Sequence, residues 1–315
     1  METQAKTAPL DRLLAQVNGV LVGKDEAVRR TIIALLSRGH LLIEDVPGIG
    51  KTLLALALAR SIDAKFRRIQ FTNDLLPSDI LGINLYDQKE GRFDFRAGPV
   101  FTNVLLADEI NRSTPKTQSA LLEAMNERQV SLEGTTFPLP EPFFVIATEN
   151  PVEHAGTFPL PEAQLDRFIM RVQIGYPSPA DELKVLRGGE LAGRLDALTP
   201  VMTLEELLEL QRRAAKVHAD DAVLEYAVAL ARATREDPRI RLGLSPRGTQ
   251  ALAAAARASA LLEGRDFMVP DDIKRVAGPV AAHRLMLDGA PFGLSRVAES
   301  ERLIESVLAR VPAPA

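Results

Sequence analysis

The sequence predicts an α/β domain built on a parallel five-stranded core sheet with β-hairpin inserts, followed by a smaller all-α domain. Three observations carry this. The stretch HLLIEDVPGIGKTLLALALAR, residues 40–60, reads as a buried strand, a glycine-bearing loop and an apolar helix. Further short apolar runs at 103–107 and 142–150 end in acidic or polar residues, as strands buried on both faces do when their carboxyl ends line a ligand crevice. Beyond Gly175-Tyr176-Pro177-Ser178-Pro179, the strongest linker signal in the chain, the pattern is helical throughout.

At 315 residues the chain has length for two domains, 1–175 and 176–315. Apolar residues make up 46%, enough for a sizeable core. Cysteine is absent, which excludes disulfides and thiolate metal sites and favours a cytoplasmic setting. The N-terminal METQAKTAPLDRLLAQ lacks the apolar core of a signal peptide. No apolar run approaches the roughly 20 residues that span a bilayer, so no membrane association is expected. The net charge of −4, the absence of a basic run and 5% aromatic residues without tryptophan argue against a nucleic-acid-binding surface.

In order, residues 10–37 read as helical with a break near Asn18-Gly19, and Val28, Ile32 and Leu35 fall on one face. Val20, Val22 and Gly23 form a short apolar hinge that suits either an adenine ring or core packing. His40–Ile43 is the first core strand, and the helix from Lys51 runs to about Ser61. A second strand, 67–71, follows so closely that the two are expected to pair in parallel through that helix.

Residues 72–102 interrupt this rhythm with a short helix at 77–81 and two alternating runs, 83–86 and 92–96, turning at Lys89-Glu90-Gly91. Phe93 and Phe95 share one face of that hairpin. It is either decoration on the core or a mobile element that touches a partner. The third strand, 103–107, leads into Asp108-Glu109. Thr114 and Pro115 then open a helix in the preferred N-cap and first-turn pattern. A second small hairpin at 130–139, a fourth strand ending at Asn150, a helix in PEAQLDRF and a fifth strand at 169–174 complete the domain. Six helices follow, near 180–187, 204–218, 222–235, 246–263, 270–277 and 295–309. The Ala-rich stretch 251–260 reads as a closely packed helix face.

The 40–60 stretch has the order a phosphate-binding loop requires. Its backbone N–H groups and the helix N-terminus present positive partial charge to a polyphosphate. Lys51 can reach the outer phosphates, and the Thr52 hydroxyl can ligate Mg²⁺. The expected nucleotide contacts are Asp45, Val46, Pro47, Gly48, Ile49, Gly50, Lys51, Thr52 and Leu53, with Val22 and Gly23 as candidates for the base. The loop consensus G-x-x-x-x-G-K-[ST] has glycine where Asp45 stands. Aspartate is among the few other residues enriched at positive φ, so a turn remains open to it there.

Asp108, at a strand's carboxyl end, is placed to hold Mg²⁺ beside Thr52. Glu109 is placed to accept a proton from the attacking water or to orient it. Asn150 ends the next core strand, where a neutral amide can hold that water and the γ-phosphate; an Asn-Pro turn explains it equally well. Arg247, in LSPRG at a helix start, sits where the helix dipole disfavours a cation and so calls for an anion nearby. His154 has no second histidine or carboxylate cluster at metal-ligand spacing.

These residues together resemble the AAA+ ATPases. The stretches DEINRSTPKTQSALLEAMNERQV and ATENPVEHAGTFPLPEAQLDRF are similar to the MoxR family, in the helix-2-insert group of that superfamily. The resemblance covers most of residues 10–290, and the family tolerates Asp45. It implies a P-loop αβα sandwich with Gly48, Gly50, Lys51 and Thr52 as Walker A and Asp108 with Glu109 as Walker B. It further implies Asn150 as sensor 1, Arg167 of LDRF as an arginine finger, Arg247 as sensor 2 at the Lys51 nucleotide, and the 72–102 hairpin as the helix-2 insert. Arg112 is a further candidate for contact across subunits.

The implied cofactors are ATP and Mg²⁺. The implied assembly is a homo-oligomeric ring, as a hexamer, acting as a chaperone that assembles or activates protein complexes and inserts metal cofactors. Its partners would be a von Willebrand factor A domain protein and a client complex. A chelatase-like motor subunit, a nucleic-acid motor and an ATP-held switch are the competing readings. The intact Glu109 argues against a switch.

Overall fold

The computed structural model describes residues 2–151, 156–187, 191–287 and 294–314. Two helices, α1 (Glu2–Val20) and α2 (Asp25–Leu36), precede the first strand, β1 (Leu41–Glu44). The break between them falls at residues 21–24, so Asn18 and Gly19 stay helical, contrary to expectation. The chain continues through α3 (Lys51–Ser61), β2 (Phe66–Gln70), α4 (Pro77–Leu81), the hairpin β3 (Gly82–Asp87) and β4 (Arg92–Ala97), and β5 (Val104–Asp108). Then come α5 (Pro115–Glu127), the hairpin β6 (Gln129–Leu132) and β7 (Thr135–Pro138), β8 (Phe144–Glu149), α6 (Glu162–Leu165) and β9 (Met170–Val172). The side chain of Thr114 caps α5 by accepting the Thr117 N–H.

Five strands form one parallel sheet in the order β2-β5-β8-β1-β9. The expected pairing of β1 with β2 does not occur. Both are parallel members of the sheet, but β5 and β8, which come later in the chain, lie between them. The strands are apolar on both faces because each face has its own core. Leu41, Ile43, Val104, Leu106 and Ile146 belong to one apolar cluster, and Leu42, Leu105, Ala107 and Val145 to the other. That split follows from the period-2 alternation of a strand.

The second region holds α7 (Pro179–Arg187), α8 (Leu191–Asp196), α9 (Leu204–Lys216), α10 (Asp221–Glu236), α11 (Pro246–Leu262), α12 (Pro270–Ala281) and α13 (Leu294–Arg310). It is not wholly helical. Two short strands, β10 (Ile240–Leu242) and β11 (Met286–Leu287), pair antiparallel. Runs of three and two residues are too short to show strand periodicity in the sequence. Ala255, Ala256, Ala258 and Ala260 of α11 are fully buried.

The first apolar cluster crosses the 175/176 boundary. Leu10, Val28 and Leu35 of the N-terminal helices share it with Leu207, Leu252 and Ile273. The Gln211 amide also donates to the Leu35 carbonyl at 2.7 Å. Among the described residues, no helix is long and apolar enough to cross a membrane.

Candidate functional site

The carboxyl ends of β1, β5 and β8 meet at a cavity of about 360 Å³. Pro47, Gly48, Gly50, Lys51, Thr52 and Leu53 line one wall, and Asp108, Glu109 and Asn150 the other. That size lies within the range of small-ligand sites. Gly48 at φ 84° and Gly50 at φ 100° take the left-handed conformation that lets the loop wrap toward a phosphate. Lys51, at the first position of α3, directs its ammonium onto the Asp45 and Glu149 carbonyls at 2.5 and 3.4 Å. Burial lowers its pKa, and the carboxylates of Asp45, Asp108 and Glu109 oppose that shift.

Asp45 does not make the turn suggested for it. Among the described residues it is not one of those at positive φ. Its carboxylate instead accepts backbone N–H groups from Val46 (2.9 Å), Ile174 (2.8 Å) and Gly175 (2.6 Å). The side chain that replaces glycine thus ties the start of the loop to the segment leaving β9. Val22 and Gly23 do not line the cavity. Leu21 does approach the loop, its Cδ1 lying 3.0 Å from where a Cβ on Gly50 would stand. Gly23 packs against Asp181 at the start of α7.

The acidic wall contains residues that sequence reasoning missed. Thr148, fully buried on β8, donates its hydroxyl to Asp108 Oδ1 at 2.6 Å and accepts the Glu109 N–H at 2.9 Å. It therefore sets both acids at once. Glu109 needs that support, because φ of 56° is unfavourable for a glutamate. Arg68 and Gln70, on one face of β2, also line the cavity. Arg68 pairs with Asp108 Oδ2 at 2.6 Å, and the Gln70 amide donates to Glu109 Oε2 at 2.7 Å. The available signal was alternation: in FRRIQ, Arg68 and Gln70 are two apart and share the face that meets the acidic strand end, while Arg67 falls on the other. Arg112, expected to face another subunit, here holds the chain's own Glu109 at 3.0 Å.

Behind Asn150 lies a second missed group. Glu149 stands in register with Glu44 across β8 and β1, and Arg171 of β9 pairs with Glu44 at 2.7 Å. Burial and the neighbouring Glu44 carboxylate push the Glu149 carboxyl up to about 8, against the pull of Arg171.

A hard oxygen donor set suits Mg²⁺, which takes one or two protein ligands and fills the rest with phosphate and water. The Thr52 hydroxyl and the Asp108 carboxylate face the same cavity and fit that requirement. A polyphosphate fits the loop, where backbone N–H groups and Lys51 supply the positive field.

Arg167 and Arg247 are not at this cavity. They line a second one of about 330 Å³, together with Arg38, Arg128, Arg284 and Asp166. Arg167 donates to the Leu122 carbonyl at 2.6 Å and Arg247 to Asn126 Oδ1 at 2.7 Å, both acceptors lying on α5. Within one chain Arg247 thus stands at the second cavity, apart from Lys51. The helix α11 that carries it packs on α9, α12 and α2, which holds its N-terminus at the second cavity. His154 lies outside the described residues.

Two family models match this chain. The one described as ATPase family associated with various cellular activities (AAA) matches residues 40–170, and the AAA lid domain matches 232–306. The chaperone MoxR1 of Mycobacterium tuberculosis is 44% identical over 90% of this chain and 77% of its own length. This chain belongs to the MoxR family of AAA+ ATPases. An uncharacterized protein, YeaC, of Bacillus subtilis is 48% identical over 97% of this chain and 95% of its own. A solved protein of Cytophaga hutchinsonii has a TM-score of 0.88 at 38% identity, covering 99% of this chain and 97% of that one. The αβα core with its lid and the hydrolysis of ATP are thus those of a MoxR-type ATPase.

Proposed function

We propose that this MoxR-family ATPase works as a homo-oligomer, a ring hexamer, in which each Mg²⁺- and ATP-dependent site is completed by a neighbouring copy. One observation carries the reading. The loop, the acids and Asn150 share one cavity, whereas Arg167 and Arg247 share another that includes no residue of the P-loop. Two arginines gathered on a face away from the chain's own phosphate loop suit an anion brought by a second subunit. Lys51 and the loop N–H groups would hold the phosphates, with Thr52 and Asp108 as Mg²⁺ ligands. Bound Mg²⁺ would neutralise phosphate charge. Glu109 would take the proton of the attacking water, and Asn150 would orient that water. Arg167 of the neighbour would stabilise charge on the γ-phosphate, a contribution of about 10³ to 10⁵ in rate in related phosphoryl transfers.

The 1–175 region is the nucleotide-binding core and 176–315 the lid in this reading, with the 72–102 hairpin as helix-2 insert. Family membership supports a chaperone role in assembling or activating protein complexes, including metal cofactor insertion. A von Willebrand factor A domain protein is the expected partner, and the setting is cytoplasmic.

The test is ATPase activity against protein concentration for wild type, Arg167→Ala and Glu109→Gln. Wild-type specific activity should rise with concentration, and both variants should lose hydrolysis while still binding ATP. An Arg167→Ala variant with unchanged activity and unchanged concentration dependence would refute the shared site.

A further inference from the structure

Arg284 follows α12 in the lid, and its side chain is only 4% exposed. Its five N–H donors all find oxygen. Nε donates to Asp166 Oδ1 at 2.6 Å, Nη1 to the Ile169 carbonyl at 3.1 Å and to the Val280 carbonyl. Nη2 donates to the carbonyls of Phe168 and Asp166 at 2.7 and 3.3 Å. The last two carbonyls flank Arg167 in the chain. His283 lies against the same contact, its Nε2 3.0 Å from the Phe168 carbonyl and 2.9 Å from Arg284 Nη1.

The held segment has little regular structure of its own. α6 ends at Leu165 and β9 begins at Met170, so residues 166–169 form a short connection. A planar guanidinium with five donors in a fixed fork can set such a connection in a way a lysine cannot. The α12 helix itself packs on β9 and α11, so the fork is anchored to the lid.

We propose that Arg284 is a positioning residue: it fixes the backbone on both sides of Arg167, so that the seating of the lid helix α12 sets where that arginine points. The proposal rests on the reading that Arg167 acts on a neighbouring copy's nucleotide. It adds that the lid of one subunit controls hydrolysis in the next, through a bonded contact and not through the lid's own nucleotide. A displacement of about 1 Å at a catalytic group can cost about 10²-fold in rate, so small movements of α12 suffice.

The experiment uses full-length Arg284→Gln, alone and mixed with Lys51→Ala. Lys51→Ala cannot use its own loop but offers an intact Arg167 to its neighbour. Arg284→Gln alone should lose about 10²-fold in kcat, with binding of a fluorescent ATP analogue retained. Adding excess Lys51→Ala should restore activity, because unmodified fingers then face intact loops. The double variant Arg167→Ala with Arg284→Gln should be no slower than Arg167→Ala alone. Wild-type kcat in Arg284→Gln, or a loss that Lys51→Ala does not restore, would overturn the proposal and leave Arg284 as a packing element only. If Arg284→Gln does not fold, Arg284→Lys takes its place with the same outcomes. Arg167→Ala measured alongside separates the two failures. Activity in that variant overturns the cross-subunit reading and the proposal with it. An inactive Arg167→Ala beside an active Arg284→Gln overturns the proposal alone.

Discussion

The Asp45 carboxylate accepts the Gly175 backbone N–H at 2.6 Å, joining the first residue of the phosphate loop to the segment that leads into the lid. A second bond from Ile174 at 2.8 Å runs to the same oxygen. Asp45→Gly, which restores the usual loop residue, would leave those N–H groups without their acceptor. The expected cost is about 1–3 kcal/mol. Urea unfolding of the variant beside wild type measures it, and Asp45→Asn, which keeps an acceptor oxygen, should lose less.

Arg68 occupies one oxygen of the carboxylate proposed to hold Mg²⁺. The guanidinium sits 2.6 Å from Asp108 Oδ2 and is half exposed. Pairs this open contribute about 0.2–1 kcal/mol. Arg68→Ala should therefore lower the Mg²⁺ concentration for half-maximal ATPase by about 1.4- to fivefold. A Mg²⁺ titration that shifts upward would show that Arg68 assists the nucleotide instead.

Glu149 makes stability depend on pH in a stated direction. Its carboxyl is pushed up to about 8, from 4.5 when unfolded. Between those values the folded chain binds the proton that the unfolded chain has released. Stability from this group therefore falls as pH rises from 4.5 to about 8 and is level above that. Glu149→Gln, which cannot ionise, should flatten this slope and raise the melting temperature most at pH 8 and above. Thermal melts from pH 5 to 9 check it; a wild-type slope retained in the variant would assign the effect to another group.

The two inserted hairpins lean on one another. Phe95 of β4 stacks on Phe137 of β7 with centroids 3.9 Å apart, and Asn84 donates to Glu133 at 2.9 Å beside them. Phe93, on the same strand face as Phe95, is 65% exposed. A double-mutant cycle of Phe95→Ala and Phe137→Ala should give a coupling of about 0.5–1.5 kcal/mol. Zero coupling would mean the hairpins move independently.

Much of the fold was legible because its signals are local. The phosphate loop shows itself by Gly48, Gly50, Lys51 and Thr52 within five residues, and the αβα layering by apolar runs that no exposed strand would tolerate. Thr114 and Pro115 announce α5 within two positions. What escaped was short or distant in sequence. The β10–β11 pair is too brief for periodicity, and a single buried Thr148 or a polar Arg68 on β2 gains meaning only from its partner.

Which polar and charged side chains stand at each strand end can be read along the chain, from Lys51 and Thr52 to Asp108, Glu109 and Asn150. Tertiary structure alone decided which of them meet. β5 and β8 inserted between β1 and β2, which brought Arg68 and Gln70 onto Asp108 and Glu109. The packing of α11 and α12 on the shared core placed Arg247 and Arg284 beside Arg167 at the second cavity. The reason is physical: backbone preference and apolar period are read within a few residues, whereas strand order and helix docking depend on contacts between segments more than 100 residues apart, such as Arg284 with Asp166.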